Sequence, residues 1–202
     1  AESGMFDDIF LPVTHGISNL FVNSLLEDTV RQCIWIGMEG FLLQYTPETE
    51  KMVAIEVFHN NSIKSLALDG NLLAGTDNGL YVYQNNEEPM QHIIHDSRNI
   101  QSLTNNIIWN IFSDQEHNSW LGTDYGISLS RYNSALQFVP ISQITGTGDG
   151  NQFYSLFRDS KGMYWFGVTN GLLRFIHPTG NRQEAVWYRM GDKAHPLSHN
   201  RI

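Results

Sequence analysis

Eight histidines and 21 acidic residues among 202 are the raw material for metal binding or acid–base catalysis, and their spacing decides which of these they can do. His195 and His199 are four apart, but Pro196 between them makes the stretch a loop rather than a helix face. His92 and His95 fall in a strand-like stretch, where an odd separation sends side chains to opposite faces. Glu48 with Glu50, Asp7 with Asp8, and Glu87 with Glu88 are carboxylate pairs of the kind that hydrolyse a sugar bond. They fall in outer turns or near the N-terminus, where solvated faces are expected. Gly146-Thr147-Gly148-Asp149-Gly150 lacks the acidic ladder of a calcium loop and precedes no helix, so its expected role is flexibility. There is no nucleophile elbow, P-loop, dinucleotide fingerprint or His-Glu-x-x-His motif. No catalytic residue, metal site or cofactor is expected.

Composition narrows the partners. Lys and Arg number 12 against 21 Asp and Glu, a formal charge of -9, so the basic footprint that phosphate backbones require is missing and no nucleic-acid partner is expected. Hydrophobic residues make up 41% and charged residues 16%, which fits a folded globular chain rather than a disordered one. The single cysteine, Cys33, decides nothing about redox compartment. No apolar run approaches the roughly 20 residues that span a bilayer, and the first residues lack the basic and apolar regions of a signal peptide.

The organising feature is a repeat. Trp35-Ile36-Gly37, Leu73-Ala74-Gly75, Trp120-Leu121-Gly122 and Trp165-Phe166-Gly167 share a bulky residue, an apolar one and then Gly, at spacings of 38, 47 and 45 residues. Upstream of each lies a seven-residue segment ending in Asp: Val22 to Asp28, Ile63 to Asp69, Ile108 to Asp114 and Phe153 to Asp159. Apolar residues at the first and fourth places put one on each face of a strand, which predicts burial on both sides. The third copy resolves into four short strands over 107–113, 119–123, 127–132 and 136–141, and the fourth into 153–158, 163–168, 172–176 and 185–188. The period and the four strands per copy predict an all-β fold, a β-propeller of four-stranded antiparallel blades.

Leu103-Thr104-Asn105-Asn106-Ile107-Ile108, Asp114, and Trp120 through Ile127 together resemble the two-component-regulator propeller repeat, whose consensus joins Leu-Thr/Ser-x-Asn-x-Val to Asp-x-x-Gly-x-Leu/Ile-Trp-Ile-Gly-Thr-x-x-Gly-Leu. Ile17-Ser18-Asn19 with Val22, and Leu197-Ser198-His199-Asn200, extend the likeness to both ends. Leu73 for Trp, the residue lost after Gly37, and Val168 for Thr mark diverged blades. The resemblance implies a periplasmic sensor region of a hybrid two-component histidine kinase in the inner membrane, detecting glycan-derived oligosaccharides and regulating transcription. The kinase activity and the homodimer would belong to the parent protein. Remaining blades and downstream sensor modules would be partners of this region, which is itself not an enzyme. The alternatives are a propeller glycosidase or lyase, or a protein interaction scaffold. The chain divides into an outer strand in 1–15, blades over 16–58, 59–100, 101–142 and 143–192, and the start of another in 193–202, so an incomplete propeller is expected.

Repetition also separates structure from binding. Asp28, Asp69, Asp114 and Asp159 recur in every copy and are expected to cap the same turn four times. Residues that differ at equivalent places are the better ligand candidates. These lie in the loops leading into the inner strands, in the loops between second and third strands, and at the inner-strand place that reads Asn23, Lys64, Trp109 and Tyr154. Both loop sets emerge on one face. A sugar site needs polar donors and acceptors beside an aromatic ring. The expected ligand-binding residues are Arg98, Asn99, Trp109, Asp124, Tyr125, Asp149, Asn151 and Tyr154.

Overall fold

The computed structural model describes residues 21–55, 61–84, 87–131, 138–140, 152–175 and 185–200. Short strands rich in β-branched and aromatic residues pair with their neighbours in sequence. β1 (Val22–Asp28), β2 (Cys33–Met38), β3 (Leu42–Thr46) and β4 (Lys51–Ile55) form the first sheet. β5 (Ile63–Asp69), β6 (Asn71–Thr76), β7 (Gly79–Gln84) and β8 (Glu87–Ile93) form the second. The third is β9 (Ile108–Ser113), β10 (Ser119–Thr123), β11 (Gly126–Ser130) and β12 (Phe138–Pro140). The fourth is β13 (Phe153–Arg158), β14 (Tyr164–Val168), β15 (Gly171–Phe175) and β16 (Val186–Met190), with β17 (Pro196–Leu197) added in parallel on its edge. Each sheet is an antiparallel meander in chain order, and the inner strands β1, β5, β9 and β13 touch one another in that order. This is the blade arrangement of an incomplete β-propeller. Among the described residues, no helix is long and apolar enough to cross a membrane.

The core lies between the sheets. Trp35 and Leu42 of the first meet Ile63, Leu72 and Tyr81 of the second. Leu73 and Leu80 meet Ile108, Ile111 and Leu121. Trp120 and Leu129 meet Phe153, Tyr164 and Phe166. The conserved shape of the repeat follows from this stacking: a Cβ added at Gly75 would lie 2.6 Å from Ile108 Cγ2, and one at Gly122 would lie 2.9 Å from the Phe153 carbonyl oxygen. Glycine in the second strand is therefore what lets the next inner strand approach. Burial on both faces holds for β5, but on β1 Leu25 is 66% exposed although its counterparts Leu66 and Ile111 are buried.

The repeated aspartate does more than cap a turn. Asp114 accepts the Glu116 and Asn118 backbone N–H groups at 3.0 and 2.8 Å, and also the Trp120 indole N–H at 2.9 Å and the Tyr164 hydroxyl of the next sheet at 2.8 Å. Asp28 holds the Trp35 indole at 3.1 Å, and Asp159 holds that of Trp165 at 2.9 Å. Aspartate and tryptophan thus form one unit: the carboxylate closes the turn while orienting the ring that the next sheet packs against. Where Leu73 replaces the tryptophan, Asp69 instead accepts from Ser119 of the neighbouring sheet at 2.8 Å.

Strand limits agree with the sequence within a residue or two where they are described; of the predicted strand over 136–141 the described residues are 138–140, and these form β12. The predicted outer strand in 1–15 lies outside the described residues.

Candidate functional site

The register of the inner strands breaks at the same place four times. Val22 pairs with Met38 and Ser24 with Gly37; Ile63 pairs with Thr76 and Ser65 with Gly75. Ile108 pairs with Thr123 and Asn110 with Gly122; Phe153 pairs with Val168 and Ser155 with Gly167. The residue skipped each time is Asn23, Lys64, Trp109 or Tyr154. A bulge inserts one unpaired residue and re-aims its side chain. The variable inner-strand place is therefore also the place released from the ladder.

Three of these four residues assemble across the second, third and fourth sheets. Lys64 Nζ lies 4.7 Å from the centre of the Trp109 ring, a cation–π contact. Trp109 and Tyr154 meet edge to face with centroids 6.0 Å apart. Asp124, on the β10–β11 turn, accepts the Trp109 indole N–H at 3.1 Å and the Gln152 amide at 2.5 Å, both on Oδ1. Gln152 in turn accepts the Tyr154 hydroxyl. Trp109, Asp124 and Tyr154 are all half-buried, so the cluster is ordered yet open to solvent. The first sheet joins through Asn23, whose amide donates to Ser62 Oγ at 3.2 Å.

The turns are set by backbone chemistry. Thr76 and Thr123 donate their hydroxyls to the Gly79 and Gly126 carbonyls at 2.9 and 2.7 Å and accept the Asn78 and Tyr125 N–H groups at 3.0 and 3.2 Å. Both glycines have φ near +100°, at 97° and 110°, where a side chain would be strained. Each turn is also tied to the segment leading into β9: Asp124 N donates to the Ile107 carbonyl at 2.9 Å, and Gly79 N to the Asn106 carbonyl at 2.6 Å.

Of the expected residues, Trp109, Asp124 and Tyr154 come together. Lys64, at the variable inner-strand place, and Gln152, in a loop leading into an inner strand, complete the cluster; both stand at candidate positions, but the bulge and the shared carboxylate that draw them in are tertiary features. Tyr125 sits beside Asp124, 57% exposed. Arg98 and Asn99 do not join. Arg98 pairs with Asp96 at 3.1 Å with its side chain 90% exposed, and Asn99 closes a turn through the Gln101 N–H at 3.0 Å. Asp149 and Asn151 lie outside the described residues.

His92 and His95 are spent locally. His92 Nε2 donates to the Asn78 carbonyl at 2.6 Å and the ring stacks on Tyr81; His95 Nδ1 donates to the Leu103 carbonyl at 2.6 Å. Among the described residues no group of three or more His, Cys, Asp or Glu is placed to hold a metal. On the inner strands the carboxylates are Asp28, Asp69 and exposed Glu27, the first two committed to the bonds above.

No family model matches the chain, and no curated protein matches it. Solved structures do. Two structures of the extracellular domain of BT4673 from B. thetaiotaomicron, described as a one-component and as a hybrid two-component system, are 76% and 78% identical over 97% and 96% of this chain, with TM-scores of 0.60 and 0.59. The chain spans 27% and 26% of them. The extracellular domain of the hybrid two-component system BT3049 from the same organism shares the fold at 18% identity, with a TM-score of 0.69 over 89% of this chain and 23% of its own. An ancestral GH74 enzyme also shares the fold, at 15% identity and a TM-score of 0.57 over 85% of this chain and 25% of its own.

Proposed function

From the premise that this chain is a stretch of propeller similar to the extracellular sensor domains of hybrid two-component systems, we propose that it helps to bind a glycan-derived oligosaccharide. The observation that carries the reading is the arc of bulge residues, in which Trp109 and Tyr154 offer aromatic surface while Asp124, Gln152 and Lys64 offer acceptors and donors at one solvent-open place. A pyranose presents C–H bonds on its faces and hydroxyls around its rim, and such an arc matches both.

The mechanism is binding rather than catalysis. Ligand bridging several blades favours one arrangement of the sensor over another; coupled through the membrane in a dimeric parent, that bias is read by a cytoplasmic kinase and ends in altered transcription. Neighbouring blades and downstream modules of the parent are the partners this requires. The test is calorimetric titration of the complete extracellular domain with glycan fragments. Binding that is abolished by Trp109→Ala while the domain stays folded is the expected result, and silence across the panel defeats the reading.

A further inference from the structure

Three carboxylates stand on successive β2–β3-type turns around the arc. Glu39 forms an isolated antiparallel bridge with Ser62, two residues before Lys64. Asp77 flanks the same serine, accepting its N–H on Oδ1 at 2.9 Å and donating its own N–H to its carbonyl at 3.3 Å. Asp124 holds Trp109 as described. Glu39 and Asp77 are exposed, and Asp124 is half-exposed. Among the described residues, one cation stands against these, Lys64, parked on the Trp109 face with no described carboxylate within ion-pair distance. Arg98, on the loop leading into the third sheet, is already neutralised by Asp96. The arc therefore has the composition of a sugar site and a rim of net negative sign, within a chain of formal charge -9.

We infer that the saccharide taken by this arc is uncharged, and that uronate-bearing and sulfated sugars are rejected at the rim by Glu39, Asp77 and Asp124. The inference rests on the sugar-binding reading above. Like charges raise the free energy of the wrong complex without touching the right one, which is how specificity arises between ligands of the same shape. Lys64 limits the rejection and supplies a donor to a neutral hydroxyl. Two exposed like charges across roughly 8 Å of water at physiological salt repel weakly, so three together give about a twofold to threefold effect.

The test uses the complete extracellular domain and matched sugars. Oligogalacturonate, glucuronoxylan fragments and hyaluronan oligosaccharides are each titrated beside their carboxyl-reduced forms, at low and at physiological salt. The expected result is that a carboxyl-reduced member binds about twofold to threefold tighter than its acid at physiological salt, and that the gap widens to about fivefold or more at low salt. Glu39→Gln narrows the gap and Lys64→Gln widens it, opposite shifts that loss of folding cannot produce. An acid that binds as tightly as its reduced form overturns the inference and leaves sugar binding standing. If no member of any pair binds, the sugar reading falls and the inference falls with it.

Discussion

The indole of Trp109 donates to Asp124 Oδ1 at 3.1 Å, and the Gln152 amide reaches the same oxygen from the next sheet at 2.5 Å. One carboxylate therefore aligns an aromatic residue of its own blade and, through Gln152, the hydroxyl of Tyr154 in the neighbouring blade. Asp124 acts as a positioning residue for the ring pair.

That role separates binding from stability. Asp124→Ala removes the shared acceptor at a half-exposed place, so stability falls by only about 1 kcal/mol, while affinity for the sugar falls about tenfold or more because both rings lose their fixed orientation. Asp124→Asn keeps an acceptor and recovers most of the stability. Calorimetric titration beside urea denaturation of the extracellular domain checks both; an Ala variant with unchanged affinity removes Asp124 from the site.

Asp114 predicts the opposite balance. Its carboxylate is buried and accepts from Trp120, Tyr164 and two backbone groups, so Asp114→Ala orphans donors in two sheets at once. Buried donors without partners cost about 1–3 kcal/mol each, and relaxation recovers part of that, so a loss of about 3 kcal/mol is expected. Asp69→Ala, at the blade that lacks the tryptophan, costs about 1 kcal/mol. Denaturation midpoints rank the two, and an equal loss contradicts the aspartate–tryptophan unit.

Much of this was legible in the sequence, and the boundary has a physical cause. The glycine after each bulky-apolar pair and the aspartate closing each inner segment are repeated because every blade makes the same contacts, so periodicity exposes them. The indole bond of Asp114 goes beyond the turn cap that recurrence alone predicts, because which donor reaches the second carboxylate oxygen depends on the fold. The bulge at Trp109 leaves no mark in residue type, since an unpaired residue follows from register. Arg98 illustrates the converse: its charge and loop position suited a ligand contact, but Asp96, two residues before it, is a nearer partner.

Acid sensitivity follows from the same carboxylates. Burial by itself raises the Asp28 pKa, but the Arg31 N–H, the Trp35 indole and the Arg31 guanidinium together outweigh it and hold the group below its ordinary value. At Asp114 burial is likewise outweighed by Trp120, Asn118 and Tyr164. A carboxylate with a folded pKa below its unfolded value, near 3.9, binds fewer protons when folded. Its stabilisation is complete above that pH and is lost as pH falls through the lower folded value. Stability is therefore expected to be flat with respect to these groups near neutrality and to fall below about pH 4. Asp114→Asn flattens that limb; a variant with the wild-type slope would place the titrating groups elsewhere.

Glycine substitutions test what sets the blade-to-blade distance. At Gly122 an added Cβ would sit 2.9 Å from the Phe153 carbonyl oxygen, a backbone atom that moves only if the whole fourth sheet moves. At Gly75 the nearest atom is the Ile108 methyl at 2.6 Å, with Ile108 Cβ at 3.1 Å, so relief requires an inner-strand side chain to leave its place. Gly70 has open space around it and only an unfavourable φ of 68°. Gly70→Ala is therefore expected to cost about 1 kcal/mol from backbone strain alone, and Gly75→Ala and Gly122→Ala about 2–3 kcal/mol from overpacking. The two classes also differ at a distance: Gly122→Ala pushes β13 away from β10 and with it Gln152 and Tyr154, so sugar affinity falls, whereas Gly70→Ala leaves affinity unchanged. Thermal denaturation and titration of the three variants separate the effects, and a Gly122→Ala variant no more damaging than Gly70→Ala would show that the repeated glycine does not set the sheet spacing.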